Sequence, residues 1–306
     1  MKQRPELLNA RQPADGPAGI EIRVEITQPF SLEHSAECGQ AFRWNRIDDY
    51  YYCVIDGVVL KIRQEGHAVY ASLFPGADAA ATTRMLSNVF RFDDDMDRIL
   101  AEISSDAHIR EAAGRHGGLR LLRQDPWECL ISYLCSINSN IPRIKGDVER
   151  ICANYGSRVV FDGKIFHTFP DVDTLAETGE SELRKLKLGF RAEYIAAAAR
   201  KVRDEKIDLL SLRHASYEEA LEVLLSFHGV GPKVADCVLL FSMDKLEAFP
   251  VDRWVKRGVE MLYFGGQRVP ERRVREWARN RFGKYAGYAQ EYLFYGSRLR
   301  ELYAAH

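Results

Sequence analysis

The chain lacks any run of about 18 apolar residues, the length a membrane-spanning helix needs, and this excludes such a helix. The polar stretch Met1 to Gly19 lacks the apolar core of a secretory leader, and neither an organelle presequence nor a basic import tract follows it. The expectation is a soluble protein of a prokaryotic cytoplasm. Cysteine is sparse: Cys38, Cys53, Cys129, Cys135, Cys152 and Cys237 are scattered, with no CxxC pair and no metal-ligand spacing. That excludes a zinc-ribbon frame and suggests six reduced thiols. An excess of charge is missing too, since 43 Lys and Arg face 44 Asp and Glu for a net charge of −1. No general attraction to polyanions follows, so any nucleic-acid binding must come from a local patch or from backbone amides. Repeats and low-complexity tracts are also absent.

What is present is 306 residues, 46% of them hydrophobic, enough to bury a large core in two or three structural units. Residues 1–19 hold Gly16, Gly19, Pro13 and Pro17 with little periodicity and suit a mobile tail. From Ile20 the pattern favours strands: EIRVEI alternates, YYYCVI and VVLKIRQ are rich in β-branched and aromatic residues, and Asp56-Gly57 between them is a hairpin turn. Helical patterns begin near Asp78 and dominate after Leu119. Asp125-Pro126 offers an N-cap and first-turn proline, Asn140 with Pro142 starts the next helix, and Ser216 to Glu219 is a capping box. The fold class expected is α+β, with an antiparallel β-rich domain over 20–118 and an all-α body over 119–306. Arg253 to Lys284 is rich in Arg and Lys, which fits either a basic binding face or a solvated helix surface.

The segment LLSFHGVGPKVADCVLLF places an apolar helix, the turn Gly229-Val230-Gly231, Pro232, and a second apolar helix opening at Lys233. Glycines allow positive φ and close approach of another backbone, and the first amides of the second helix are free for a phosphate. Such turns also merely connect packed helices. Lys233 is less easily explained as structure, because a cation in a helix's first turn is opposed by the macrodipole at about 0.3–1 kcal/mol. The same field, with partial burial beside Val234 and Cys237, favours the free amine, which is a nucleophile. Further on, AFPVDRWVKRGVEML positions Asp252 to cap a helix beginning near Arg253. An ordinary N-cap explains it; a capping carboxylate held by amides is also a preorganised anion that could face Lys233.

GVGPKVADC followed by PVD resembles the helix-hairpin-helix, Gly/Pro-rich loop and Asp signature of base-excision DNA glycosylases, and the lysine form resembles the bifunctional branch. ECGQAFRW, RQDPWECLISYLCSINSNIPRI, LRKLKLGFRAEYI and YAGYAQEYLF extend the likeness to the 8-oxoguanine DNA glycosylase family from Ile20 to Arg298. The resemblance implies an antiparallel β domain with two helical subdomains. It implies Lys233 as nucleophile and Asp252 as its carboxylate partner. It assigns Gly39 a carbonyl that accepts from N7–H of the oxidised base, Gln290 a bond to the base's pairing edge, and Phe294 and Cys237 the two faces, with Phe241 also in the pocket. A stacking wall and an amide suit a base taken out of the duplex, and an acceptor at N7 discriminates against guanine, whose N7 carries a lone pair. Without the resemblance, Cys38-Gly39-Gln40 is a turn and Gln290 with Phe294 a core pair one helical turn apart.

By the same likeness Asn138, Arg143 and Arg191 fill the vacated stack and read the orphaned cytosine, with Phe190 as a wedge, while Gly229, Val230 and Gly231 meet the DNA backbone. The carbonyls of Leu225, Phe227 and Val230 are implied to hold a structural monovalent or divalent cation. No cofactor is required, and the four-cysteine iron–sulfur loop of some relatives has no counterpart after Cys237. Three departures stand out: Ser139 replaces the middle of three asparagines, Phe190 stands where tyrosine is common, and Trp254 falls where a phosphate-contacting histidine is often found. The implied partner is double-stranded DNA containing oxidised guanine, bound by a monomer near the nucleoid and away from any membrane. A glycosylase for another purine lesion and a non-catalytic DNA-binding module are the alternatives the sequence leaves open.

Overall fold

The computed structural model describes residues 20–73 and 77–299. The expected mobile tail at 1–19 lies outside the described residues. Strand β1 (Glu21–Glu25) alternates as its sequence demands, with Ile22 and Val24 buried and its charged residues exposed. Helix α1 (Leu32–Glu37) follows, then β2 (Asn45–Ile47), β3 (Tyr50–Ile55), β4 (Val58–Glu65) and β5 (Ala68–Ser72). The five strands form an antiparallel sheet in the order β1-β5-β4-β3-β2. The Asp56-Gly57 turn between β3 and β4 has φ of 48° and 78°, as a tight hairpin with two left-handed residues requires.

Helices α2 (Ala79–Val89), α3 (Met96–Ile103) and α4 (Ala107–Arg115) complete the N-terminal third, each capped by an aspartate, Asp78, Asp95 and Asp106. Leu86, Val89 and Phe90 at the end of α2 join the sheet's apolar cluster, whereas Met96, Ile99, Ile103, Ile109 and Ala112 belong to the core of the helical body. The extended segment after α4 stitches the two: Leu119 and Leu121 enter the helical core, Leu122 the sheet cluster. Arg123 pairs with Asp244 (2.8 Å) and Asp93 (3.1 Å), and the Gln124 amide donates to the Phe241 carbonyl (2.8 Å).

The body contains α5 (Pro126–Cys135), α6 (Ile141–Tyr155), α7 (Val172–Lys185), α8 (Arg191–Asp204), α9 (Tyr217–Leu225), α10 (Pro232–Ser242), α11 (Arg253–Tyr263), α12 (Glu271–Phe282) and α13 (Ala286–Arg298). The starts read from sequence are present: Asp125 caps α5 with Pro126 at its first position, Asn140 caps α6, and Ser216 with Glu219 forms a reciprocal capping box on α9. Helices α5 and α10 form the centre, with every residue of α5 but Glu128 buried. At about 1.5–3 kcal/mol per large apolar side chain, that burial fixes α5 and α10 as the frame on which the site is built. The body is not wholly helical, because strands β6 (Arg158–Phe161) and β7 (Lys164–His167) form a hairpin. Phe166 of β7 stacks on Tyr52 of β3, 5.7 Å between centroids, and ties that hairpin to the sheet. All six cysteines are buried and free.

Candidate active site

Helix α9 ends at Ser226, and residues 226–231 turn the chain into α10. Gly229 has φ +84°, and a Cβ there would run into the Tyr194 ring, so only glycine fits. Gly231 differs: its backbone is extended (φ −95°) and a Cβ would meet nothing within 4 Å. Its missing side chain leaves open surface beside the first amides of α10.

Lys233 occupies the second position of α10, half-buried, and its Nζ donates to Ser136 Oγ (3.1 Å) at the end of α5. The same ammonium stands 5.2 Å from the centroid of Tyr133, an attraction that holds it inward. Asp252 caps α11, accepting from the Val255 amide (2.8 Å). Burial raises the Asp252 carboxyl above the usual carboxylate range, while the Val255 amide, the Lys233 charge and the Trp254 amide pull it back. The Lys233 charge and the Asp252 carboxylate therefore act on each other electrostatically. Cys237, one turn beyond Lys233, feels both; burial pushes its thiol up to about 12, so it packs as a neutral thiol.

The residues expected around a base lie on the adjoining wall. Gly39 has φ +107°, and a Cβ there would fall 2.8 Å from Ile141 Cδ1 and 3.3 Å from Phe294 Cε1. Its neighbour Gln40 is anchored on three sides. The amide nitrogen donates to the Ser35 and Arg120 carbonyls (2.9 and 2.8 Å), the amide oxygen accepts from Leu122 N (2.7 Å), and its backbone carbonyl accepts from the Tyr133 hydroxyl (3.0 Å). Among the described residues no donor reaches the Gly39 carbonyl. Gln290 on α13 is buried, with its Oε1 lacking a hydrogen-bond partner. An unmet buried acceptor costs about 1–3 kcal/mol, which a ligand donating to it would recover. Phe241 stacks on Tyr133, 5.7 Å apart and nearly parallel, behind this wall.

A third group surrounds the turn between α5 and α6. Asn138 is exposed with φ +50°, Phe190 is 40% exposed, and Arg143 is exposed with Nε 3.7 Å from Asp147. Arg191 is buried and spends its donors on the carbonyls of Ile137, Asn138 (2.9 Å) and Leu188, with its guanidinium 4.7 Å from the Phe190 ring centre. Arg191 thus underpins the loop that carries Asn138. Ser139 is half-buried, with its hydroxyl lacking a partner, and Trp254 lies half-buried in the first turn of α11.

Sequence reasoning missed Ser136 and Tyr133, which set the position of Lys233, and Gln40, which fixes Gly39. A serine just past an apolar helix carries no signal by itself; its role exists only through the packing of α5 on α10.

The description "8-oxoguanine DNA glycosylase, N-terminal domain" matches residues 22–130, and "HhH-GPD superfamily base excision DNA repair protein" matches 131–283. A probable N-glycosylase/DNA lyase of Methanothermobacter thermautotrophicus is 31% identical over 87% of this chain and 92% of its own. The N-glycosylase/DNA lyase OGG1 of Arabidopsis thaliana is 34% identical over 89% of this chain and 77% of its own. Among solved structures, the Clostridium acetobutylicum 8-oxoguanine glycosylase/lyase, in complex with double-stranded DNA containing cytosine opposite 8-oxoguanine, superposes with a TM-score of 0.84 at 33% identity. That match covers 91% of this chain and 98% of the other. A structure described as MBOgg1 with a low-affinity DNA ligand gives 0.88 at 35% identity, over 92% and 96% of the two chains. With the lysine and aspartate of the hairpin signature acting on each other electrostatically and matches spanning both halves, the chain belongs to the 8-oxoguanine DNA glycosylase family of helix-hairpin-helix base-excision repair enzymes.

Proposed function

We propose that this enzyme excises 8-oxoguanine from duplex DNA and then cleaves the strand at the resulting abasic site. The observation that supports the reading is Lys233 Nζ, hydrogen-bonded to Ser136, acting electrostatically on the rigid Asp252 N-cap. As the glycosidic bond breaks, Lys233 attacks C1′ and Asp252 stabilises the positive charge developing on the sugar. The base departs with the bonding electrons and takes the proton whose loss turns the Lys233 ammonium into the attacking amine. Ring opening at O4′ gives an imine between Nζ and C1′; loss of a C2′ proton then expels the 3′ phosphate by β-elimination.

The flipped base sits beside Gly39, whose unmet carbonyl accepts from N7–H, with Gln290 at its pairing edge and Cys237 and Phe294 on its faces. Gly231 and the first amides of α10 receive a DNA phosphate, which needs no net positive charge. The carbonyls of Leu225, Phe227 and Val230, neutral oxygens at the negative end of α9, suit a hard cation that would bridge the hairpin to that phosphate. Asn138, Phe190 and Arg143 occupy the vacated stack and read cytosine, and Arg191, now bonded to loop carbonyls, joins them by exchanging one of those bonds for one to the base. The protein acts as a monomer. A panel of duplexes carrying 8-oxoguanine, formamidopyrimidine or an alkylated purine tests the assignment: release of 8-oxoguanine at least about tenfold faster than of the others is expected. Faster release of an alkylated purine would overturn it, as would binding without release of any base.

A further inference from the structure

Helix α6 carries Arg143, Asp147 and Arg150 at a spacing of four and then three residues, which puts all three on one face. Asp147 is fully buried on that face, with none of its surface exposed. Its Oδ1 accepts from Arg150 Nη2, whereas its Oδ2 is buried with no hydrogen-bond partner. The guanidinium paired with Oδ2 is that of Arg143, whose Nε stands 3.7 Å away, just beyond bonding distance. Burial raises the Asp147 carboxyl above the usual range, and the charges of Arg150, Arg143 and Arg191 pull it back. Of these three arginines, Arg150 also donates to the Leu186 carbonyl (2.9 Å), and Arg191 is engaged by the carbonyls of Ile137, Asn138 and Leu188.

A carboxylate buried for stability alone would have both oxygens bonded. Here one oxygen is unmet, and it faces the arginine with the freest head: the Arg143 side chain is 52% exposed. A long side chain in that state loses rotamer freedom when it is ordered on a ligand. A fixed carboxylate that grips Nε removes that freedom and leaves the two terminal nitrogens, coplanar and side by side, pointing outward. The pairing edge of cytosine presents two adjacent acceptors, O2 and N3. Adenine, guanine and thymine each interrupt their acceptors with an N–H donor or present only one.

We propose that Asp147 is a positioning and specificity residue for the opposite base: with the duplex bound, its Oδ2 accepts from Arg143 Nε and so aims both terminal nitrogens of Arg143 at O2 and N3 of cytosine. The closure required is about 0.8 Å, from 3.7 Å to an ordinary hydrogen bond. Oδ1 stays with Arg150, so the turn at Leu186 that leads to Phe190 is left in place. This role rests on the reading of cytosine by Arg143 given above.

The test measures single-turnover release of 8-oxoguanine opposite each of the four bases for the intact enzyme, Asp147→Asn, Arg143→Ala, the two combined, and Arg143→Lys. Asparagine keeps an oxygen for Arg150 but sets an amide N–H against Arg143, donor against donor. Asp147→Asn is expected to lower the preference for cytosine by about three- to tenfold. In the combined variant it should add no more than about twofold to the loss caused by Arg143→Ala. The preference is a ratio of rates within one preparation, so a reduced folded fraction does not alter it. An unchanged preference, an equal slowing on all four duplexes, or a loss that adds in full to that of Arg143→Ala overturns the role. If Asp147→Asn does not fold, the exposed Arg143→Lys decides: one nitrogen cannot both bond the carboxylate and reach two acceptors, so the preference should fall as far as in Arg143→Ala. A preference retained by lysine overturns the proposal. Wild-type rates that show no preference for cytosine overturn the reading of the opposite base instead, so the two failures are distinct.

Discussion

The wall proposed to meet the lesion and the loop proposed to meet the opposite strand are built in contrary ways. On the lesion side the polar atoms are buried and unmet: the Gln290 and Glu291 oxygens lack partners, and the Gly39 carbonyl awaits a donor. On the opposite side most are either exposed, as in Asn138 and Arg143, or already satisfied, as in Arg191 bonded to three carbonyls, although the Ser139 hydroxyl and Asp147 Oδ2 are buried and unmet. A site with fixed, unmet acceptors rewards a ligand without reorganising. A site whose donors are engaged must exchange one hydrogen bond for another, which yields little net energy. Discrimination of the damaged base should therefore be strong and independent of loop movement, whereas discrimination of its partner should be weaker and depend on it.

The largest effect expected on the lesion side comes from Asp252→Asn. Asparagine caps as well as aspartate, so stability should move by no more than about 0.5 kcal/mol, while loss of the charge lowers base release by about 10²- to 10³-fold. The sign of the pH dependence follows from burial. The Asp252 carboxyl lies above the ordinary carboxylate value, and its ionised form is the active one. Activity is thus lost as pH falls through that raised value, earlier than for an exposed aspartate, and the acid limb disappears in Asp252→Asn; thermal melts and single-turnover rates measure both. Next, Gln290→Ala should cost about 1–3 kcal/mol in transition-state stabilisation, or roughly 10- to 100-fold, on a damaged base. It should have little influence on cleavage of a preformed abasic site. The smallest effect belongs to the opposite side: Arg143→Ala should reduce the preference for cytosine over the other three partners by about tenfold or less, read from excision rates on four duplexes. Arg191→Ala should reduce it further and also loosen the Ile137–Asn138 loop it supports. Equal losses from Gln290→Ala and Arg143→Ala on lesion excision would erase the contrast between the two sides.

Much of this was legible in the sequence because it rests on local rules. The alternation of β1, the Asp56-Gly57 turn, the caps at Asp125 and Asn140 and the capping box at Ser216 each involve residues a few positions apart. Asp252 as an N-cap was legible for the same reason. The β6–β7 hairpin had a signal that the surrounding helical pattern hid: VVFDGKIF places Asp162-Gly163 between two β-prone runs, and both turn residues have positive φ. Ser136 beneath Lys233 and Gln40 behind Gly39 were not legible. Each joins residues far apart in the chain, and only packing decides what they meet. The two glycines of the hairpin make the same point, since a G-x-G pattern cannot tell that Gly229 is forced by its φ and by Tyr194 while Gly231 is free of both.

One amine, Lys233, is expected to perform both the excision and the cleavage. Borohydride trapping on a duplex with 8-oxoguanine opposite cytosine, comparing the intact enzyme with Lys233→Gln, tests it most directly. A covalent protein–DNA adduct that forms with the intact enzyme and vanishes in the variant is the predicted result. Base release without any trapped adduct, or an adduct that persists in Lys233→Gln, would contradict it.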